Sequence, residues 1–347
     1  MAFNLQEYQA LKHPLRFKKD GTFRILMLSD IHGGVAIHPQ LMPAMHAVVE
    51  AAKPDLVLLA GDTNSHRIGA ATPAQLRDFL SVITAPMEQN GIPWAHVYGN
   101  HDDNMGISNE DQQPVYEAFP YCLSKRGPRD ISGVGNYVLP ILCADSDEPA
   151  FNIWAMDSNN NNRRFARKYG LPEDLQVLLP NHFTSADHDY DAPHADQILW
   201  YYEASRAIEQ QYGRKIPGML YMHMPLPEFC LIPMNPGLCR MRGNMRESIG
   251  CDELNTGLFA TCLQRGDVKA IFVGHDHIND FTGEYCGITM GYCAGMSYDI
   301  YCDDDMRGGR VIDLKESDPL HAATFMLRIR DLMGPAGDKR VSVPKQP

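Results

Sequence analysis

The chain has 347 residues, 44% hydrophobic and 21% charged, which is typical of a folded globular protein rather than a disordered one. Its net charge of −12 lacks the basic footprint of proteins that bind long nucleic acids. No stretch approaches the about 20 apolar residues of a membrane-spanning helix, and the N-terminal segment has no apolar signal-peptide core. With nine irregularly spaced cysteines, these features predict a cytoplasmic protein whose partners include neither a membrane nor long nucleic acids.

Apolar runs and helical patterns alternate through the first half of the chain. Strands are predicted at residues 25–28, 56–60 and 94–98, and helical spacing follows the first two, over residues 41–53 and 73–88. Pro73 suits an early helical position. Helices that follow strands in this way are typical of a parallel sheet with crossover helices.

The middle of the chain predicts strands of a second sheet, at residues 137–139 and 151–156. Further strands are expected at residues 219–222, 271–273, 288–293, 310–314 and 324–329, and helices at 196–211 and 258–264. Residues 225–251 are rich in Pro, Gly, Met and Arg, and a loop of this length predicts a lid or a binding loop. Without a linker, residues 1–334 form one predicted domain, followed by a flexible tail at 335–347.

Five short polar clusters each begin where an apolar run ends. They are Asp30-Ile31-His32, Gly61-Asp62, Gly99-Asn100-His101-Asp102, His223, and Gly274-His275-Asp276-His277. In open α/β sheets, ligands bind beyond the carboxyl ends of the strands. Residues that are far apart in sequence are therefore expected to meet at one edge.

The spacing within the clusters suits a pair of metal ions. Residues two apart on extended backbone point the same way, so Asp30 and His32 can hold one ion. His275 and His277 have the same spacing and lie roughly 7 Å apart along a strand. Two metals about 3.5–4 Å apart, with one of these histidines on each, fit that distance better than a single ion does.

Three further residues complete the predicted ligand set. The Asp62 carboxylate has two oxygens and can bridge the ions, Asn100 adds a neutral oxygen, and His223 adds an imidazole. A ligand set of oxygen and nitrogen without thiolate favours Mn, Fe or Zn, and the many imidazoles disfavour Mg. The predicted cofactor is therefore a pair of such metal ions.

The motifs DxH, GDxx, GNHD, H and GHxH occur in an order that resembles the calcineurin-like metallophosphoesterases, from Asp30 to His277. Residues 154–158 (WAMDS) and 221–229 (YMHMPLPEF) are similar to the group related to plant purple acid phosphatase 29 and the yeast Dcr2 phosphatase. The resemblance implies an α/β fold, a four-layer α/β/β/α sandwich of two mixed sheets flanked by helices.

The resemblance also implies a role for each site residue. The first metal would be held by Asp30, His32, Asp62 and His277, and the second by Asp62, Asn100, His223 and His275. A hydroxide between the metals would attack phosphorus. His101 would face the substrate and assist the leaving oxygen, either by protonating it or by stabilising its charge.

The implied function is a dinuclear metal-dependent phosphoester hydrolase. The closer group favours a phosphatase that acts on monoesters, with a phosphorylated small molecule or a phosphoprotein as substrate. A phosphodiesterase acting on nucleotides or other diesters is the alternative within enzymes. A non-catalytic binding protein of the same fold is a third hypothesis, although such relatives usually lose ligands and this chain has every matched ligand position.

Some polar residues outside the ligand set have two interpretations. Asp102 either orients His101 or is a solvated loop acid. Arg240, Arg242 and Arg246 in the long loop either bind substrate phosphate or are ordinary solvated surface residues. The same two interpretations apply to His66 and Arg67, which follow the second cluster.

One departure from the purple enzymes generates a prediction. In those enzymes the second motif is GDxxY, and its tyrosine ligates ferric iron and gives the colour, whereas this chain has Ser65 at that position. We therefore expect iron-loaded protein to show no purple charge-transfer band. Its absorption spectrum tests this, and an intense visible band in the tyrosinate region would contradict it.

Overall fold

The computed structural model describes residues 3–34, 36–64, 71–160, 190–252 and 254–334. Its strands are β1 Leu15–Arg16, β2 Thr22–Leu28, β3 Leu56–Ala60, β4 Trp94–Val97, β5 Tyr137–Leu142, β6 Pro149–Ala155, β7 Gly218–Tyr221, β8 Val268–Val273, β9 Thr282–Tyr285, β10 Ile288–Tyr292, β11 Gly308–Lys315 and β12 Ala323–Arg328. Its α-helices are α1 Leu5–Gln9, α2 Leu41–Ala52, α3 Pro73–Ile83, α4 Ala85–Glu88, α5 Asn109–Glu117, α6 Ala195–Tyr212, α7 Leu231–Met234, α8 Leu258–Arg265 and α9 Ile329–Met333. The predicted tail at 335–347 lies outside the described residues.

The described strands form two mixed sheets. The five-stranded sheet has the order β12-β11-β2-β3-β4, and the seven-stranded sheet has the order β1-β5-β6-β7-β8-β10-β9. In the first sheet, β2, β3 and β4 are parallel neighbours. In the second, β6, β7, β8 and β10 are parallel neighbours. Both sheets therefore direct the carboxyl ends of several strands toward one edge.

The two sheets pack face to face because their strands are apolar on both sides. In β3, Leu58 lies in the core between the sheets, whereas its neighbour Leu59 lies in the core under the helices. In β8, Phe272 lies in the core between the sheets, and its neighbour Ile271 lies in the core under the helices on the other face. The period of two along a strand makes this division, so continuous apolar runs correspond to strands buried on both faces.

Helices cover the outer face of each sheet. Leu76 of α3 packs with Val48 of α2 outside the five-stranded sheet. Tyr201 of α6 and Cys262 of α8 pack outside the seven-stranded sheet. The four-layer α/β/β/α sandwich that the resemblance implied is therefore confirmed. Among the described residues, no helix combines the length and the apolarity needed to cross a bilayer.

The structure divides the helix that was expected over residues 73–88. Helix α3 ends at Ile83 and α4 begins at Ala85. Pro86 has no N–H to donate to the preceding turn, so the helix cannot continue regularly through it. The long segment at 225–251, which was expected to be a loop, contains a 3₁₀ turn, Pro227–Cys230, followed by α7.

Candidate metal centre

The first group of converging side chains joins one end of each sheet. Asp30 and His32 follow β2, and His277 follows β8. The Nε2 atoms of His32 and His277 lie 3.1 Å apart. Asp30 Oδ1 lies 3.3 Å from His277 Nε2 and 3.7 Å from His32 Nε2. All three residues are buried and form one of the two clusters able to hold a metal ion among the described residues.

The second group also draws on both sheets. Asp62 follows β3, His223 follows β7, and His275 follows β8. His223 Nε2 lies 3.2 Å from Asp62 Oδ2 and 3.3 Å from His275 Nδ1. Asn100, which follows β4, places its Oδ1 3.1 Å from the same nitrogen. The structure thus brings together all seven side chains that the sequence selected.

Asp62 lies between the two groups. Its Oδ2 is 3.4 Å from His32 Nε2 in the first group and 3.2 Å from His223 Nε2 in the second. Its other oxygen, Oδ1, accepts the backbone N–H of His101 at 2.8 Å. One oxygen is thereby fixed by the backbone while the other faces both groups, which is the arrangement that a bridging carboxylate needs.

The backbone is strained where the clusters turn. Asp30, His32, Asp62 and His275 have φ values of 53°, 48°, 49° and 72°. Non-glycine residues rarely adopt this left-handed region, and such conformations concentrate at functional sites. At His32 a backbone hydrogen bond fixes the turn, because its N–H donates to the carbonyl of Asp62 at 2.8 Å.

Backbone carbonyls fix the tautomers of two histidines. His223 Nδ1 donates to the Ala60 carbonyl at 2.7 Å, and His277 Nδ1 donates to the Tyr301 carbonyl at 2.7 Å. In the neutral ring, the proton on Nδ1 leaves a lone pair on Nε2. Both lone pairs therefore point into the cluster, as they do in metal-ligating histidines whose other nitrogen binds a carbonyl.

The buried carboxylates stabilise positive charge on the neighbouring imidazoles, and this raises the pKa values of two histidines. Burial disfavours protonated imidazole, but the carboxylates of Asp62 and Asp30 outweigh it and raise the pKa of His223 to about 10. Against the same burial, Asp30 raises the pKa of His277 to about 9. Burial alone would raise the pKa of Asp30, yet His277 and His223 hold it well below its usual range.

These atoms fit metal ions better than they fit one another. Asp30 Oδ1 and Asp62 Oδ2 are buried and accept no hydrogen bond from a described residue. In the neutral form of His223, which is the form that binds a metal, the Nε2 lone pair faces another acceptor, Asn100 Oδ1. Buried acceptors without donors are costly, and a cation at the centre of each group would satisfy them. The ligand types, oxygen and imidazole nitrogen, suit divalent transition metals.

His101 lies at the rim of the cluster rather than within either group. Its ring centroid is 5.5 Å from that of His32, and the side chain is half-buried. Asn104 Nδ2 lies 2.7 Å from His101 Nδ1. Asn104 was not among the predicted site residues, although its position three residues after His101 on a 3₁₀ turn places the two side chains together.

Neither interpretation of Asp102 was correct. Asp102 is 1% exposed, so it is not a solvated acid, and no hydrogen bond joins it to the His101 side chain in the described structure. Its carboxylate instead accepts three backbone N–H groups, from Asp62 at 2.9 Å, Asn64 at 3.0 Å and Gly99 at 2.6 Å. Asp102 therefore joins the two loops that carry Asp62 and Asn100.

The arginines of the long loop have carboxylate partners or face solvent. Arg240 pairs with Glu284 at 3.2 Å, Arg246 pairs with Asp303, and Arg242 is exposed. His66 and Arg67, considered as substrate contacts, and Ser65 lie outside the described residues.

Residues 23–279 match the family described as Calcineurin-like phosphoesterase. The chain belongs to this family. In this calcineurin-like phosphoesterase the matched region contains all seven candidate ligands and His101. The family assignment that the motifs suggested is therefore confirmed.

Relatives of this chain include both plant and yeast proteins. It is 29% identical to "Probable inactive purple acid phosphatase 14" of Arabidopsis thaliana, over 84% of this chain and 74% of that protein. It is 29% identical to "Probable inactive purple acid phosphatase 29" of the same plant, over 84% and 76%. With "Phosphatase DCR2" of Saccharomyces cerevisiae the identity is 27%, over 76% of this chain and 45% of that protein.

A solved structure shares the fold. It is a dimetal phosphatase from Danio rerio, which superimposes with a TM-score of 0.51 at 12% identity and covers 88% of this chain and 98% of that one. The likeness supports the four-layer architecture described above.

The position of Asp102 generates a prediction for the metal centre. Asp102→Asn replaces one acceptor oxygen with an NH₂ group that faces backbone N–H donors. We expect it to destabilise the fold by about 1–3 kcal/mol and to lower metal content, because the Asp62 and Asn100 loops lose their common anchor. Denaturant unfolding and elemental analysis measure both effects.

The neighbouring Asp103→Asn is the matched control, since Asp103 is half-buried and accepts from the Asn160 amide. Stability and metal content equal to the parent in Asp102→Asn would contradict the anchoring role.

Proposed function

We propose that this protein is a metal-dependent phosphatase that hydrolyses phosphomonoesters. The observation that carries the proposal is the convergence of seven oxygen and nitrogen ligands into two groups that share Asp62. Asp30, His32, Asp62 and His277 would hold one ion, and Asp62, Asn100, His223 and His275 would hold the other. The ligand set favours Mn, Fe or Zn over Mg.

When bound, such a metal pair neutralises charge on phosphoryl oxygens and lowers the pKa of a coordinated water. The residues of the chain supply the rest. His101, at the rim and outside both ligand groups, would face the leaving oxygen of a bound substrate. The Asn104 amide contacts Nδ1 of His101 at 2.7 Å, which leaves Nε2 as the nitrogen for the substrate. In the protonated ring, Nδ1–H would donate to the amide oxygen of Asn104, and Nε2–H would give its proton to the leaving oxygen, so that the neutral ring remains.

The phosphatase names of the relatives and the absence of a basic nucleic-acid footprint support the proposed substrate class. A phosphorylated small molecule or a phosphoprotein is the proposed substrate. The names of two plant relatives describe them as probable inactive phosphatases, whereas the yeast relative is named a phosphatase. The presence of every candidate ligand and of His101 in this chain supports catalysis over mere binding.

A phosphoester panel on protein reconstituted separately with Mn, Fe, Zn and Mg tests the proposal. We expect turnover of p-nitrophenyl phosphate to exceed that of bis-p-nitrophenyl phosphate, and Mg to give the lowest rate. Turnover of the diester without the monoester would favour the phosphodiesterase. Two bound ions with no hydrolysis of any phosphoester would favour a non-catalytic binding protein.

His101→Ala tests the role of the rim histidine. We expect kcat to fall about 100- to 10,000-fold, the usual contribution of a general acid, while both metal ions remain bound, because His101 belongs to neither ligand group. Steady-state kinetics and elemental analysis measure these quantities. His46→Ala, an exposed histidine on α2, is the control. Unchanged turnover in His101→Ala would remove it from the mechanism.

A further inference from the structure

Residues 242–250 of the long loop lie beside the GHxH motif, which carries His275 and His277. Isolated antiparallel bridges join Arg242 to Thr282 and Met245 to Asn279. The buried Asn279 side chain binds the same stretch again, accepting the N–H of Arg246 at 2.9 Å and donating to the carbonyl of Glu247 at 3.2 Å. These contacts align residues 242–247 with residues 279–282, shortly after the GHxH motif.

Within this stretch, the carboxylate of Glu247 accepts hydrogen bonds from two neighbours of His277. Its Oε1 accepts the backbone N–H of Ile278 at 2.7 Å, the residue that follows His277. Its Oε2 accepts the hydroxyl of Tyr301 at 2.9 Å. Glu247 is thereby linked to the backbone and to an aromatic neighbour of the same candidate ligand.

Tyr301 in turn contacts His277 in two ways. Its ring stacks on the imidazole with centroids 4.1 Å apart and planes 6° apart, and its carbonyl accepts His277 Nδ1–H at 2.7 Å. The ring plane and the tautomer of His277 are both set by this one residue. Glu247 holds the tyrosine at its hydroxyl, at the opposite end from the carbonyl.

The same stretch meets the other histidine of the motif at Gly250. The Gly250 N–H donates to Asp276 at 3.1 Å. A Cβ at Gly250 would lie 2.6 Å from His275 Nε2, so only glycine permits this close approach. Residues 242–250 therefore contact the surroundings of one ligand in each metal group.

We infer that Glu247 is a positioning residue for the metal site that contains His277, acting through Tyr301, and that Gly250 sets the position of His275 in the other site. This inference rests on the proposed function. It assigns residues 242–250 to the support of the ligands, whereas the sequence predicted a lid or a binding loop. Second-layer partners of this kind affect metal affinity about 10- to 100-fold.

Calorimetric titration of chelator-treated protein with Mn²⁺, and separately with Zn²⁺, tests the inference without measuring activity. We expect Glu247→Ala to weaken one of the two binding steps about 10- to 100-fold and to leave the other unchanged. The affected step is identified by comparison with His277→Ala and His275→Ala. Gly250→Ala should weaken the step that His275→Ala removes.

Conservative variants keep the test informative if Glu247→Ala does not fold. Glu247→Gln retains an acceptor for the Ile278 N–H, and Tyr301→Phe retains the stacked ring and the carbonyl, so both should weaken the same step by a smaller factor. Glu284→Ala is the control. It removes the exposed β9 carboxylate that pairs with Arg240 of the long loop, and this variant should bind both ions as the parent does.

Two results would overturn the inference. One is a folded Glu247→Ala protein with both affinities equal to the parent, and the other is an equal loss at both steps in Glu247→Ala. A parent protein that binds neither Mn²⁺ nor Zn²⁺ would instead overturn the proposed function. A parent that binds two ions and hydrolyses phosphoesters, with Glu247 variants indistinguishable from it, would remove only the role of Glu247.

Discussion

Two buried carboxylates determine which groups must surround them at the centre of the structure. Asp30 and Asp62 stand at adjacent strand ends with side chains 1% exposed or less. Each has an oxygen that no described residue satisfies with a hydrogen bond. Buried charge of this kind is stable only when it is paired or bound to a cation. Four imidazoles surround the two oxygens, and the lone pairs of two of them point inward because backbone carbonyls hold their other nitrogens.

Such crowding depends on strand ends that approach closely, and glycine makes the approach possible. A Cβ at Gly61 would lie 2.5 Å from His223 Nδ1, and one at Gly99 would lie 2.3 Å from Asp62 Oδ1. At Gly274 it would lie 1.8 Å from Ser29 Oγ, across the junction of the two sheets. The glycine that precedes the polar residues in three of the five clusters is thus a packing requirement as much as a turn signal.

The sequence predicted those parts of the molecule that follow from short-range pattern. Continuous apolar runs gave the inner strands such as β3, because both faces of each sheet are buried. The convergence of the candidate ligands could be predicted, because each of them follows one of these runs. The role of Asp102 could not, because its three donors come from backbone groups on separate loops. Glu247 and Tyr301 carry no local signal either, as only the tertiary fold places them beside His277.

The candidate ligands of each metal come from both sheets. The His32–His277 contact joins residues 245 apart in sequence, and each of the two ligand groups has members on either side of the junction. Neither sheet alone can present a complete site, so the centre forms only when the two sheets are packed together, and closing the long chain segments between such contacts costs conformational entropy. A bound metal pair would then act as a cross-link between the sheets. Metal binding would therefore depend on the packing of the two sheets against each other, and it would stabilise the packed state by mass action.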